Sequence, residues 1–151
     1  MDPTTSSSEP STLRRVDVTR TGPGRFRATN ARGGTIDLGS GEDDDFTPVE
    51  LLLAAIAGCV GVTVDAITAR RAEPEAFDVA VTGHKVRDDD GATVLRDLEL
   101  VLAAAFPAGE AGDRAREALP RTLRQTHERL CTVSRTVETG VPVEMRLAEG
   151  R

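Results

Sequence analysis

Residues 47–64, TPVELLLAAIAGCVGVTV, constrain the fold more than any other part of this sequence. Thr47, with Pro48 after it and Glu50 three positions on, matches a capping box, in which the threonine and the glutamate satisfy each other's backbone N–H groups. Proline suits the first helical position because an N–H there has no acceptor within the helix. The acidic run at 43–45 favours the dipole of such a helix, and its spacing matches no metal-binding loop. The pattern therefore predicts a helix that begins at Pro48.

This predicted helix is apolar on every side, because residues 51–64 carry no charge and almost no polar group. A helix of that kind lies in the protein interior. The uncharged run has 14 residues, fewer than the roughly 18 that a bilayer span needs. We therefore predict a buried core helix, with Cys59 in its middle, and no membrane contact.

Length and composition limit the class of protein. A chain of 151 residues favours one domain, predicted at 12–151, after a Ser-, Thr- and Pro-rich tail at 1–11 that we expect to be disordered. The net charge of −6 and the pI near 5.0 argue against a nucleic-acid partner. The N-terminus lacks the basic and apolar regions of a secretory signal, which indicates a cytoplasmic protein. In that reducing compartment a cysteine pair is more often catalytic or redox-active than structural.

The remaining patterns predict an α+β fold, because strands and helices occur in groups. Three short strands joined by Gly-rich turns, from about residue 13 to 39, indicate an antiparallel meander. Residues 77–86 and 94–106 indicate a hairpin around an Asp-Gly turn. A helical pattern follows from Asp113 to about Leu130, with a kink or break expected at Pro120. A short helix closed by Gly140 and a last strand at 141–147 complete the prediction.

Cys59 has two interpretations. A buried free cysteine often serves only as a small apolar side chain, and an apolar environment raises its pKa, so an inert thiol is favoured on physical grounds alone. For Cys59 to act as a thiolate, a cation or the amides of a helix N-terminus must offset that burial. Arg20, Arg25, Arg27 and Arg32, which lie in or beside the first strands, are candidate cations, and their spacing does not select one of them.

Cys131 lies between two helical patterns, where it is placed to begin the second helix. A helix N-terminus lowers the pKa of a thiol, although Cys131 is equally well explained as a packed residue at a helix end. The two cysteines are 72 positions apart and the histidines, His84 and His127, are isolated, so no zinc-site spacing occurs. His127 lies four residues before Cys131 and is a weaker candidate for a base. Glu50 is explained by the capping box but is also able to hold an arginine.

The segments TPVELLLAAIAGC and LCTVS, together with the order of elements over about residues 13–147, resemble the OsmC/Ohr family of thiol-dependent peroxidases. Glu50 precedes Cys59 by nine residues, which is similar to the OsmC-like branch. The chain differs from the usual second motif at Thr132, where that motif has proline.

This resemblance implies an intertwined homodimer of α+β subunits, with antiparallel sheets around long buried central helices. It implies that Cys59 attacks a hydroperoxide, that Cys131 resolves the product to a disulfide, and that Glu50 orients an arginine, for which Arg25 is the first candidate and Arg20 the second. No metal and no cofactor take part. An apolar pocket would favour organic hydroperoxides, and an external dithiol would restore the thiols. Two alternatives stay open: a non-enzymatic dimer that binds a small apolar ligand, and a thiol redox sensor that turns over slowly.

Overall fold

The computed structural model of the chain describes residues 11–150. The chain divides into two compact units, the first ending at Glu50 and the second beginning at Leu51. The predicted disordered tail lies outside the described residues except for Ser11, which is exposed. The prediction of a single domain from residue 12 stays a prediction.

The first unit contains the predicted antiparallel meander. Its strands are β1 (Val16–Gly22), β2 (Arg25–Asn30) and β3 (Thr35–Leu38), and they lie in the order β1-β2-β3 with antiparallel pairing throughout. The turns between them place Gly24 at φ 65° and Gly33 at φ 87°. Glycine adopts these left-handed conformations without the steric cost that a side chain would add. The three-strand prediction is therefore confirmed.

The first helix, α1 (Pro48–Thr68), begins as the capping box predicts. The Thr47 N–H donates to Glu50 Oε2 at 2.8 Å, and the Glu50 N–H donates to Thr47 Oγ1 at 3.2 Å. The helix has 21 residues, and it is long and apolar enough to cross a membrane by length and composition alone. The core helix of a soluble protein meets the same criteria. The length of the uncharged run is therefore no argument against a membrane span.

The second unit continues α1 and adds a hairpin and two more helices. The hairpin consists of β4 (Ala76–Arg87) and β5 (Thr93–Ala105), which pair antiparallel as predicted. The chain then forms α2 (Glu110–Gln125), a π-helical segment (Thr126–Leu130) and α3 (Thr132–Thr139). Antiparallel sheets with three helices make this an α+β fold, as the sequence predicts.

Within this unit α1 buries one face only. Ile56, Val60, Val64 and Thr68, spaced four residues apart, are at most 6% exposed, so they form a stripe along one side of the helix. Val62, on another side, is 74% exposed. The composition of the helix predicts that it is enclosed on every side, but within a single chain it is not. One hairpin and the later helices cover only one of its faces.

The predicted break at Pro120 does not occur. The helix α2 continues through Pro120 to Gln125, and the irregular turn comes later, at Thr126–Leu130. Proline removes one hydrogen bond to the carbonyl four residues earlier. Pro120 is exposed, so water is able to satisfy that carbonyl and the helix survives the loss. The following helix α3 ends at Gly140, whose φ of 63° and ψ of 50° form the predicted left-handed cap.

The predicted last strand is absent from the described chain, in which residues 141–148 have no regular secondary structure. A strand needs a neighbour for its backbone hydrogen bonds, and no described strand pairs with this segment. Its apolar side chains are exposed, with Met145 at 90% and Leu147 at 95%. An alternating apolar pattern was therefore not sufficient to form a strand here.

Candidate functional site

The fold brings together Cys59 and Cys131, the two thiols that lie 72 positions apart in the sequence. Both are free cysteines, and each thiol acts on the pKa of the other. Cys131 is completely buried in the core cluster with Val60 and Val64, and Cys59 packs against the same cluster while keeping part of its surface exposed. Helix α1 carries one thiol and the start of α3 carries the other. The pair therefore depends on tertiary packing within the second unit.

Cys131 is the N-cap of α3. Its φ of −82° and ψ of 100° are extended, and its sulfur accepts a hydrogen bond from the Ser134 N–H at 3.4 Å. Burial acts to raise the pKa of Cys131, but the hydroxyl and N–H of Ser134, the Cys59 thiol and the Val133 N–H act against it, and the pKa lies below its ordinary value. The prediction that Cys131 begins a helix is confirmed, and Cys131 is also packed in the core, as the alternative interpretation has it.

Cys59 has the opposite character. Burial raises the pKa of Cys59, and the neighbouring Cys131 raises it further. The backbone N–H groups of Val133 and Thr132 act to lower the pKa of Cys59, but they offset only part of the increase. The raised pKa agrees with the expectation for a thiol on an apolar helix. Of the two thiols, the one that is accessible is the weaker acid.

Glu50 and Arg25 take up structural contacts in the first unit. Glu50 completes the capping box with Thr47. The Arg25 guanidinium lies 3.2 Å from Asp43 and 3.0 Å from Asp45, so it neutralises the acidic loop that precedes α1. The pKa of Arg25 is accordingly raised by these carboxylates. The role of each residue beside a thiol stays a prediction.

The other arginines considered from the sequence also lie on or beside the meander. Arg27 forms a two-pronged ion pair with Asp37 on β3, with N···O distances of 2.6 and 2.9 Å. Arg20 lies on β1, and Arg32 lies in the turn between β2 and β3. Among residues 11–150, no group of three His, Cys, Asp or Glu side chains has the arrangement of a metal site.

A cavity of about 450 Å³ lies in the second unit. Its lining includes one neighbour of each thiol: Val60, which follows Cys59 in α1, and Ser134, whose N–H donates to the Cys131 sulfur. Its apolar lining comes from α1, the hairpin and the later helices: Ile56, Val60, Val81, Leu98, Leu100, Leu123 and Val137. The cavity is therefore suited to an apolar group of a small molecule.

Polar side chains lie at this cavity as well. His127 Nδ1 is 3.5 Å from Glu138 Oε1, and both side chains line the cavity together with Glu99. His127 was a candidate base for Cys131, but the residue with which His127 pairs is Glu138. Since both side chains are more than 40% exposed, this pair lies where the cavity meets solvent.

The sequence argument named the amides of a nearby helix start as one candidate to offset the burial of Cys59, without saying which helix supplies them. In the structure the Ser134 N–H of α3 donates to the Cys131 sulfur, and the N–H groups of Val133 and Thr132 act to lower the pKa of Cys59. The available signal was the position of Cys131 immediately before a short helical pattern, since the first N–H groups of any helix lack internal acceptors. The second thiol that these groups reach could not be identified from spacing.

Comparisons with known proteins agree with this architecture. The family model described as OsmC-like protein matches residues 41–146. An uncharacterized protein of Mycobacterium tuberculosis (strain ATCC 25618 / H37Rv) is 33% identical over 135 residues, which cover 87% of this chain and 94% of the relative.

Two solved structures share the fold. The OsmC-like protein from Mycoplasma pneumoniae superposes with a TM-score of 0.65 at 18% identity, over 83% of this chain and 87% of that one. The organic hydroperoxide resistance protein OhrB of Bacillus subtilis gives a TM-score of 0.51 at 17% identity, over 82% and 90%. With the family model covering most of the chain and a relative at one-third identity, this protein belongs to the OsmC-like family.

Proposed function

We propose that this protein is a thiol-dependent peroxidase that reduces an organic hydroperoxide to an alcohol. The observation that carries the proposal is the packing of Cys59 against the core cluster that contains Cys131. A partly exposed thiol beside a second, buried thiol is the arrangement that an oxidation and resolution cycle requires. The fold shared with an organic hydroperoxide resistance protein supports the same chemistry.

In the proposed reaction the Cys59 thiolate attacks the distal oxygen of the hydroperoxide. The O–O bond breaks, Cys59 becomes a sulfenic acid, and the leaving alkoxide takes a proton to form the alcohol. Cys131 then attacks the sulfenic sulfur, a disulfide forms, and hydroxide leaves and is protonated to water. An external dithiol reduces the disulfide by thiol exchange and returns both cysteines to their starting state.

We assign the attacking and the resolving role to Cys59 and Cys131 from the exposure and the pKa of each thiol. Cys131 has no exposed surface, so a peroxide in solution reaches Cys59 first. The lowered pKa of Cys131 gives it thiolate character, which suits a residue that attacks a neighbouring sulfenic acid. The raised pKa of Cys59 requires a further stabilising charge for efficient attack. As the family resemblance implies, we assign that charge to Arg25, oriented by Glu50.

The apolar cavity in the second unit supports an organic substrate over hydrogen peroxide. An alkyl or aryl tail gains about 25 cal/mol for each Å² that it removes from water, and hydrogen peroxide has no such tail. The lining is predominantly aliphatic. The proposed enzyme therefore uses the cavity to hold the tail while the peroxide group lies at Cys59.

The proposed assembly is a homodimer. Helix α1 leaves apolar side chains such as Val62 exposed within one chain, and the segment at 141–148 carries exposed apolar side chains without a strand partner. Burying both against a second copy would remove this surface from water. We also propose that the protein works in the cytoplasm, where dithiol reductants are abundant.

The test is steady-state reduction of tert-butyl hydroperoxide with dithiothreitol, compared with hydrogen peroxide at equal concentration. We expect turnover with the organic substrate, loss of turnover in Cys59→Ser, and in Cys131→Ser a single reaction that leaves Cys59 as a sulfenic acid detectable by dimedone labelling. Absence of turnover, with Cys59 still free after peroxide treatment, would exclude the peroxidase. Full peroxide consumption by Cys59→Ser would exclude any role of that thiol.

A second candidate is a non-enzymatic protein that binds a small apolar ligand. Two features favour it: the aliphatic cavity in the second unit, and the raised pKa of Cys59, because a protonated thiol is a poor nucleophile. In that case an apolar fluorescent probe would bind in the cavity and Leu100→Asp would abolish binding, while peroxide would leave both thiols unchanged. A slow redox sensor is distinguished by forming the Cys59–Cys131 disulfide without multiple turnovers.

A further inference from the structure

The cavity of the second unit combines an aliphatic lining with two carboxylates. Of the eleven described residues that line it, seven are aliphatic, and the other four are Glu99, His127, Ser134 and Glu138. No arginine or lysine is among these eleven, although the chain contains 19 such residues. A molecule in this cavity therefore meets apolar surface and negative charge, without a permanently positive side chain in the lining.

The two carboxylates differ in their partners. Glu138 Oε1 lies 3.5 Å from His127 Nδ1, and Glu138 Oε2 lies 3.4 Å from Arg135 Nη1, so a guanidinium offsets the charge of Glu138. Glu99 lies on β5, opposite Thr82 of β4. None of the ion pairs formed within residues 11–150 includes Glu99. Glu99 therefore brings a negative charge to the cavity that no ion pair of the described chain offsets.

This charge discriminates between ligands that have the same apolar body. A glutamate carboxylate is ionised at neutral pH, and two like charges a few ångströms apart repel each other. An anionic ligand would also exchange its hydration for a lining that offers no arginine or lysine. Because Glu99 is exposed, water and salt screen its charge. The resulting preference is therefore moderate and depends on salt.

We propose that the cavity selects against anionic ligands and that Glu99 sets this preference, so that its ligands are apolar molecules without a carboxylate. For the substrate, this inference rests on the proposed function. The substrate is then an alkyl or aryl hydroperoxide without an anionic group, and the hydroperoxide of a fatty acid is a poor substrate. The preference in binding does not depend on any reaction at the thiols.

The binding experiment uses octanol, octanoate and octylamine, which share one alkyl chain and differ in the charge of the polar end. Each is titrated into the protein at neutral pH and physiological ionic strength, and the ¹H–¹³C methyl resonances of Leu100, Leu123 and Val137 report binding in the cavity. In Glu99→Gln we expect octanoate to bind about three- to tenfold more tightly than in wild type, and octylamine to bind more weakly by a similar factor. Octanol should bind equally to both proteins.

Glu75→Gln is the matched control, because it removes the same charge at the other end of the hairpin. The Glu75 N–H donates to the Ala105 carbonyl oxygen, and Ala105 pairs with Ala76 whereas Glu99 pairs with Thr82. These pairs lie six residues apart along β5, or about 20 Å. That separation exceeds the distance of about 8 Å over which physiological salt screens a charge. Binding of all three ligands should be unchanged in this variant.

Equal binding of octanoate by wild type and a folded Glu99→Gln would overturn the proposal, as would methyl resonances that none of the three ligands shifts. Should Glu99→Gln fail to fold, the salt dependence of the wild type decides. We expect octanoate to gain affinity relative to octanol as the salt concentration rises to about 1 M, because the repulsion is screened. A ratio of the two affinities that does not change with salt would overturn the proposal as well.

A kinetic comparison separates this inference from the proposed function. Cumene hydroperoxide and its para-carboxylate are tested as substrates, and we expect a lower kcat/KM for the carboxylate, with a smaller difference in Glu99→Gln. Equal kcat/KM for the two substrates in wild type would overturn the inference and leave the peroxidase intact. No turnover of either, with the expected order of ligand binding, would disprove the proposed function and leave the selection by Glu99 in place.

Discussion

Cys59 and Cys131 are the same residue type and pack at the same core cluster, yet their surroundings push their acidities in opposite directions. Cys59 projects from the middle of a 21-residue helix, where the backbone donors are already used, and burial raises its pKa. Cys131 caps a helix whose first donors are free, and its pKa falls although it is the more deeply buried. The position of Cys131 at a helix start therefore lowers its pKa by more than burial raises it. Of the two thiols, the more accessible one, Cys59, is the weaker acid.

The largest expected effect comes from removing the cap that Cys131 provides. Cys131→Ala deletes the acceptor for the Ser134 N–H and the buried sulfur, and we expect a loss of about 1–3 kcal/mol in the free energy of unfolding. Cys131→Ser keeps an acceptor and should lose clearly less. Urea unfolding followed by circular dichroism measures both. Equal losses in the two variants would show that packing, and not capping, is what Cys131 contributes.

The opposite acidities predict two separate titrations. In ¹³Cβ-cysteine NMR of the wild-type protein, Cys131 should ionise below the ordinary thiol pKa and Cys59 above it. Between the pKa of Cys131 in the folded state and its ordinary thiol pKa, the folded state has lost the Cys131 proton while the unfolded state still holds it. The contribution of Cys131 to stability therefore rises with pH over that range. Cys59 contributes in the opposite sense, and its contribution is lost as pH rises. A lower titration midpoint for Cys59 than for Cys131 would contradict the opposite pKa shifts of the two thiols.

The smallest effect tests whether Glu50 serves the cap alone or also the thiolate. Glutamine fits a capping box as glutamate does, so Glu50→Gln should leave the free energy of unfolding within about 0.5 kcal/mol of wild type. Glu50→Ala should lose about 0.5–1 kcal/mol with the cap. If Glu50 also orients Arg25, both variants lose peroxide turnover, because neither retains the charge. Full turnover in Glu50→Gln would restrict Glu50 to its structural role.

Local chemistry was sufficient to predict most of the elements. The capping box placed the start of α1, glycines marked the meander turns, and Gly140 marked the end of α3, because each of these features depends on residues within a few positions. The predictions that failed depended on surroundings. Pro120 is tolerated because it faces solvent, and residues 141–148 form no strand because no described neighbour pairs with them.

The features of the candidate site also fall into those that followed from local sequence and those that depended on tertiary packing. That Cys59 sits on an apolar helix and that Cys131 begins a short one followed from the sequence, because helix starts and apolar runs are local patterns. That Cys59 and Val133 pack against the core cluster that contains Cys131 was decided only by the packing of α3 against α1. Hydrogen bonds to sulfur act over one contact distance, so the acidity of each thiol depends on neighbours that sequence spacing does not reveal.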